Sequence, residues 1–344
     1  MKDILEIIDR SLTMDPQERA RLKVLLRTAS GRPAVFFSIK FYGPNYYAVV
    51  PFHVLAELAK TGCNVVIMFR DISTFEEPEK FVKSMTDEEF VDYSIDYVYN
   101  MLLSFGAPKE RIFIYKFSDL WNRLMEIREP NLFFEYYKIT GDRMIGEFIT
   151  SKTLEHFAEV RHILQNPADV MIADFFGKLA PESGITKIHL MLGRSTRRKF
   201  FYEETRKILF QKGLIKDYMP AYAFFGNIPR TSRKGELTPN IYFDEAEIFS
   251  AMKRDTKLSM EKDIPQLMRY VIRDFVGSYE IEGKKVGIGE VLRFLKNASK
   301  DRVLAVAARN MYLSNINLRK IMKITERPYP VKICGSDEMK GLGI

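Results

Sequence analysis

Phosphate chemistry is the first possibility that the residue types of this chain offer. The segment Asn227-Ile-Pro-Arg-Thr-Ser-Arg-Lys-Gly235 sets Arg230, Arg233 and Lys234 beside the hydroxyls of Thr231 and Ser232. Such a composition suits a clamp on phosphate oxygens built from charge-assisted hydrogen bonds, and it equally suits a solvated basic loop. A second segment, Phe41-Tyr-Gly-Pro-Asn-Tyr-Tyr47, holds Gly43 and Asn45 just ahead of a helical run, where backbone N–H groups and the helix dipole favour an anion. With a single glycine it is neither a P-loop nor a G-x-G-x-x-G fingerprint, and a plain turn accounts for it as well. Asp71 closes an apolar run and can accept from a ribose hydroxyl or an amine, or simply cap a turn. Gln165 and Asp169 stand at i and i+4 and share a helix face if the helix tolerates Pro167; pocket lining and helix termination both fit them. Arg194, Arg197, Arg198 and Lys199 bunch at a helix start, an unfavourable end for cations, which hints at an anionic partner.

Other chemistries find less support. The four histidines, His53, His156, His162 and His189, have no partner at triad or metal-ligand spacing, and Cys63 and Cys334 are too far apart to read as a disulfide framework or a zinc site. No metal centre is expected. Lys257-Leu-Ser-Met-Glu-Lys262 reads as an interhelical turn, with Asp263 capping a helix that begins near Pro265.

The elements that must carry these residues alternate. Asp15, Pro16 and Glu18 mark a helix start in a helical N-terminal segment. Pro33–Ile39 and Asn64–Phe69 are short apolar, β-rich runs separated by a helical stretch that ends before Gly62, a βαβ unit that implies a parallel sheet. Thr86-Asp-Glu-Glu89 resembles a capping box and opens a helix to about Phe105, followed by the strand Arg111–Tyr115. A largely helical middle runs from about Asp119 to Gln165. Lys187–Leu192 and Ala221–Phe225 read as two more strands around a basic helix, and after Gly235 only helices are expected. The expected architecture is thus α/β: a five-stranded, Rossmann-like parallel sheet with helices on both faces in residues 1–235, then a small all-helical domain in residues 236–344. In open parallel sheets the ligand sits beyond the carboxyl ends of the strands, which directs attention to Lys40–Asn45, Asp71 and the loop after Phe225.

The length of 344 residues accommodates two such domains, and 46% hydrophobic with 28% charged residues is an ordinary globular composition. The longest stretch without Asp, Glu, Lys or Arg, Phe41–Ala56, is 16 residues and contains two prolines, too short to span a bilayer. Charges throughout the first ten residues interrupt any signal-peptide core, so a cytoplasmic protein is expected. The net charge of +8 permits a polyanionic partner without requiring one.

Taken together, these segments resemble archaeal and eukaryotic-type tyrosyl-tRNA synthetases, within the class I group shared with tryptophanyl-tRNA synthetases. The similarity runs from the first helix and Asp15-Pro-Gln-Glu-Arg19, through strand Ala34–Ile39, Thr61–Asp71, Asp92–Gly106 and Ile112–Tyr115, to His162-Ile-Leu-Gln165, which resembles the amino-acid-pocket helix. Phe243-Asp-Glu-Ala-Glu-Ile248 is similar to the acidic helix start after the mobile loop. Ile264–Phe275 and Gly289–Met322 are similar to the helical anticodon-binding domain. The signature motifs depart from the pattern. Asn45-Tyr-Tyr-Ala48 stands where the family places His-Ile-Gly-His, Pro229–Lys234 where it places Lys-Met-Ser-Lys-Ser or Lys-Met-Ser-Ser-Ser, and Gly193-Arg-Ser-Thr196 where it places Gly-x-(Asp/Glu)-Gln. Asp169 lies one position beyond the expected acidic residue of the pocket helix.

The resemblance implies ATP-dependent activation of an amino acid, nominally tyrosine, and its ligation to tRNA. It assigns ATP, with Mg2+, to Gly43, Asn45 and Arg230–Lys234, with Asn45 and Lys234 as the catalytic pair, and the amino-acid pocket to Phe37, Asp71, Gln165, Asp169 and Thr196. The altered motifs keep open a paralogue that binds RNA or a nucleotide without aminoacylation, and an enzyme that uses the same ATP pocket on another small substrate; a homodimer is also compatible. Residues 293–332 carry ten basic against two acidic residues. This makes Arg293, Lys296, Arg319 and Lys320 the candidate footprint for tRNA or another RNA.

Overall fold

The computed structural model describes residues 2–39, 46–71, 87–127, 157–193, 220–225, 243–254 and 258–323, with scattered positions between 203 and 215. Its contacts divide the chain into two compact units. One comprises Met1–Lys40, Leu58–Ser73 and Pro108–Phe224; the other comprises Phe41–Glu57, Thr74–Ala107 and Phe225–Ile344.

The first unit is built on one sheet. Helices α1 (Lys2–Ser11) and α2 (Pro16–Arg27) flank the two-residue strand β1 (Leu12–Thr13), and the longer strands are β2 (Ala34–Ile39), β3 (Asn64–Phe69), β4 (Ile112–Lys116), β5 (Leu190–Gly193) and β6 (Ala221–Phe225). Their order is β1-β6-β5-β2-β3-β4, and β2 to β6 pair in parallel, with Ala34 opposite Asn64 and Val35 opposite Leu190. The near-continuous apolar composition of β2, β3, β5 and β6 reflects burial on both faces, as parallel sheets require. The sixth strand corrects the expectation of five: β1 interrupts the helical N-terminal segment, and two residues are too few to show any period.

Ala34, Phe36, Val66, Met68, Met191, Tyr222 and Phe224 form one face of the sheet. They share a core with Leu120 and Leu124 of helix α5 (Phe117–Ile127) and with Val170, Ile172, Ala173, Phe176 and Leu179 of helix α6 (Phe157–Leu179). Helix α6 runs unbroken through Pro167. Helix termination is therefore excluded as the reason for Asp169. Near the other end of α6, Gly177 is required because a Cβ there would collide with the Thr186 carbonyl. At the amino end of the sheet, the Ala34 N–H donates to His189 Nδ1 at 3.1 Å while the His189 N–H donates to the Ala34 carbonyl at 2.9 Å. Asp15 caps α2 by accepting from the Gln17 N–H at 3.0 Å, as its type and spacing predict. On α2, Glu18 accepts from the Tyr222 N–H and from Arg206, so a carboxylate occupies a donor of β6.

The second unit contains most of α3 (Tyr46–Lys60), α4 (Asp87–Ser104), α7 (Glu245–Arg254), α8 (Asp263–Gln266), α9 (Arg273–Val276), α10 (Ile288–Asn297) and α11 (Lys300–Ile321). A five-residue π turn, Leu267–Val271, joins α8 to α9. Helix α8 starts at Asp263 itself, whose carboxylate accepts from the Ser259 N–H at 2.8 Å, so Asp263 closes the preceding turn rather than capping a later helix. His53 lies edge-on to Phe105 and Phe275, with ring centroids 5.3 and 4.8 Å away, and its Nδ1 is 3.9 Å from Asp274.

This unit is not all-helical. Strands β7 (Tyr279–Ile281) and β8 (Lys284–Val286) form an antiparallel hairpin whose two turn residues, Glu282 and Gly283, both have positive φ, at 51° and 82°. That is the type I′ turn that matches the twist of a two-residue hairpin. Three-residue strands carry too little alternation to be recognised, which is why the sequence leads one to expect only helices after Gly235. Helix α11 is the spine. Arg309 reaches Glu280 and Glu245, Asn310 bonds both backbone groups of Glu280, Asn315 donates to the Phe243 carbonyl, and the Tyr279 hydroxyl donates to the Met268 carbonyl at 2.6 Å.

Candidate functional site

The strand order reverses between β2 and β5: β3 and β4 extend to one side, β5 and β6 to the other. A crevice beyond the carboxyl ends of β2 and β5 is therefore where the topology places a ligand. Three polar side chains converge there, on the face that carries α6. Ser38 continues the Ala34–Phe36 row, Arg70 continues the Val66–Met68 row one residue past β3, and Asp169 comes down from α6. Arg70 Nε donates to Ser38 Oγ at 2.7 Å and its Nη2 pairs with Asp169 Oδ2. Ser38 and Arg70 keep 6% and 7% of their surface, and Asp169 keeps none. The backbone locks this arrangement, since the Arg70 N–H donates to the Ile39 carbonyl at 2.8 Å and extends the ladder past the strand ends.

A lone buried charge is driven toward neutrality, whereas a pair with additional hydrogen bonds remains ionised. Asp169 is thus an internal counter-ion to Arg70.

Asp71, 5% exposed, accepts from both the N–H and the hydroxyl of Ser118, the former at 3.0 Å. It caps the first turn of α5 from outside, where a carboxylate also meets the favourable end of the helix dipole. These contacts are those of a cap. Phe37 is fully buried, and strand alternation puts it on the face opposite Ser38, Arg70 and Asp169. The structure therefore brings Asp169 together with two residues that the sequence motifs do not single out, and sets Phe37 on the other side of the sheet. Gln165 occupies the helical position one turn before Asp169. Gly43, Asn45, Thr196 and Arg230–Lys234 lie outside the described residues, as do Arg194 and Arg197–Lys199. The signal that finds Ser38 and Arg70 is their polarity at the ends of otherwise apolar strand rows that share one parity.

The candidate RNA residues fall in two places. Arg293 and Lys296 are exposed on α10, whereas Arg319 and Lys320 sit in the last turn of α11. At 1.5 Å per residue, the helix separates Lys300 from Arg319 by roughly 30 Å. Arg319 and Lys320 there also complement the helix dipole, and Arg319 Nε approaches the Asn315 carbonyl at 3.4 Å. Within the same basic segment, Arg302 is paired with Glu282 and lies 5.2 Å over the Phe294 ring, and Arg309 is held by two glutamates. Among the described residues no group of three or more His, Cys, Asp or Glu side chains is placed to hold a metal, and no helix is long and apolar enough to cross a membrane.

No family profile and no curated protein sequence matches this chain. Solved structures do. The tyrosyl-tRNA synthetase of Archaeoglobus fulgidus, complexed with L-tyrosine, is similar over 93% of this chain and 99% of its own, with a TM-score of 0.60 and 14% identity. The tyrosyl-tRNA synthetase of Aeropyrum pernix gives 0.61 at 11% identity, covering 93% and 94%. The tryptophanyl-tRNA synthetase of Plasmodium falciparum gives 0.55 at 12% identity, covering 94% of each chain. At such identities the likeness is one of fold: this chain has the Rossmann-like synthetase fold over more than nine-tenths of its length.

Proposed function

We propose that this chain is a divergent relative of the tyrosyl- and tryptophanyl-tRNA synthetases that activates an amino acid with ATP and transfers it to tRNA. The observation that supports this best is a likeness of fold extending over more than nine-tenths of the chain in proteins of both specificities. In this reaction the carboxylate of the amino acid attacks the α-phosphorus, pyrophosphate leaves, and the adenylate then yields its acyl group to the tRNA. Catalysis of such a step consists of positioning and of stabilising charge on phosphate oxygens. We assign that task to Arg230, Arg233 and Lys234 with the hydroxyls of Thr231 and Ser232, and to Gly43 and Asn45, which precede α3 in sequence. When bound, Mg2+ neutralises charge on the triphosphate.

Asn45-Tyr-Tyr-Ala48 in place of two histidines favours a second reading, in which the chain binds nucleotide and RNA without activation. Each lost preorganised donor costs about 3 kcal/mol of transition-state stabilisation, so the cations of the 230–234 segment have to compensate if activation is retained. ATP–pyrophosphate exchange with each of the twenty amino acids decides between the two. Exchange with one amino acid, lost in the Arg230→Ala/Lys234→Ala variant, supports activation. No exchange with any, together with tRNA binding that weakens steeply with salt, supports the second reading.

A further inference from the structure

The amino end of the six-stranded sheet, opposite the switch-point crevice, carries charge that the activation chemistry does not use. We propose that the connections entering β2, β4 and β5 form a surface for the phosphate backbone of RNA, held by Arg32, Lys109, Arg111 and Lys187. This inference rests on RNA being a partner of the chain, which both readings above share. It adds a contact outside the assigned ATP segments and outside the candidate footprint on α10 and α11.

Not every cation at this end calls for a ligand. Arg27, Lys60 and Lys178 stand in the last turns of α2, α3 and α6, where they offset the negative ends of the helix dipoles. The other four lie in the connections themselves: Arg32 two residues before β2, Lys109 and Arg111 in the short 3-10 turn that leads into β4, and Lys187 three residues before β5. All belong to the same compact unit. Arg32 and Lys109 are exposed, and Arg111 and Lys187 are half-buried. The register sets them in a row. Val35 is opposite Leu190, Ala34 opposite Asn64 and Val65 opposite Ile112, so the residues entering β5, β2, β3 and β4 lie side by side. At about 4.8 Å per strand, the row covers roughly 15 Å. Arg111 reaches Asn64 Oδ1 at 3.4 Å, which ties it to the start of β3. Opposing charge is scarce: the acidic residues of the four connections are Glu110 and Glu182, and Glu182 is committed to Arg123 at 2.8 Å.

A row of this kind suits a phosphate backbone, which is held by charge and positioned without being read. A peptide partner, even an acidic one, draws most of its affinity from large anchors in desolvated pockets. None of the exposed large apolar side chains among the described residues falls in these connections, and Phe105, Ile185 and Ile188 within them are buried.

The test is binding of unfractionated tRNA to the full chain by fluorescence anisotropy at several salt concentrations, repeated on Arg32→Glu/Lys109→Glu and, for comparison, on Arg319→Glu/Lys320→Glu. Exposed charges contribute little to stability, so the first variant should melt close to the parent. It is expected to bind at least about tenfold more weakly at low salt, with a log–log salt slope shallower by about 1.4–1.8, the equivalent of two phosphates. Should it misfold, Arg32→Gln/Lys109→Gln removes the same two charges without adding new ones and should flatten the slope as much. Affinity and slope unchanged in both Arg32/Lys109 variants, with binding lost in Arg319→Glu/Lys320→Glu, overturn this inference alone. Competition by poly-L-glutamate as effective as that by unlabelled tRNA at equal charge overturns RNA as the occupant. Absence of tRNA binding by the parent at low salt overturns this inference together with the RNA role in both readings. The reversal effect in a chain without pyrophosphate exchange supports the inference and counts against activation alone.

Discussion

Lowering the pH from 7.5 to 5 should destabilise the protein through His189 in particular. The imidazole is 4% exposed, accepts the Ala34 N–H at Nδ1, and is held neutral. Burial, with Lys187 adding to it, pushes its pKa from 6.5 down to about 4. Above pH 6.5 the folded and unfolded chains both carry a neutral imidazole and the residue contributes no pH dependence. Between 6.5 and 4 the unfolded chain takes up a proton that the folded chain refuses, so stability falls as pH falls. The full loss, reached below pH 4, is at most about 3 kcal/mol, and about 2 kcal/mol of it is gone by pH 5. His189→Asn is the control: its side-chain oxygen can accept from the Ala34 N–H, but it does not titrate. Urea unfolding of parent and variant at several pH values isolates the residue, because every other titration is common to both. The two curves should converge at low pH from a parent advantage at neutral pH. Parallel curves from pH 7.5 to 4.5 would show that the imidazole is not held neutral and would refute the reasoning.

Three further outcomes follow from the packing. Arg70→Leu alone should cost about 3–5 kcal/mol because it strands the Asp169 charge, whereas Arg70→Leu/Asp169→Leu should recover most of that loss; thermal and urea melts measure both. Burial pushes the Cys63 thiol up to about 11, so Cys63 should resist thiol reagents at pH 8 in the folded protein and react only on unfolding, which a peptide-resolved mass-spectrometric alkylation course reads directly. Tyr279→Phe removes the hydroxyl that bonds the Met268 carbonyl beside the π turn, and should lower stability by about 1 kcal/mol in urea titrations.

The fold was legible in the residues wherever burial on both faces forces an apolar run. Asn64–Phe69 and Ala221–Phe225 coincide with their strands, and Asp15 with Pro16 marks the start of α2. Legibility failed where an element is too short to display a period, as in Leu12–Thr13 and in the hairpin around Glu282-Gly283. It failed differently at the site. Asp169 was visible as a polar residue on an amphipathic helix, yet its role is decided by Arg70, which is 99 residues away in sequence. Nothing local distinguishes a carboxylate that lines a pocket from one that neutralises a guanidinium. Asp71 is similar: its partner Ser118 is 47 residues on, so the cap it makes there has no local signature.

The way the chain is shared between its two units has a consequence for its synthesis. Phe41–Glu57 and Thr74–Ala107 are translated early, but they cluster with Phe225–Ile344, and His53 and Phe105 rest against Phe275. On the ribosome His53 and Phe105 therefore emerge long before Phe275, the ring they finally rest against, which appears only in the last third of the chain. A premature stop after Phe225 would therefore yield not an autonomous sheet unit but one carrying two unpartnered helical insertions, a species suited to chaperone capture and proteolysis.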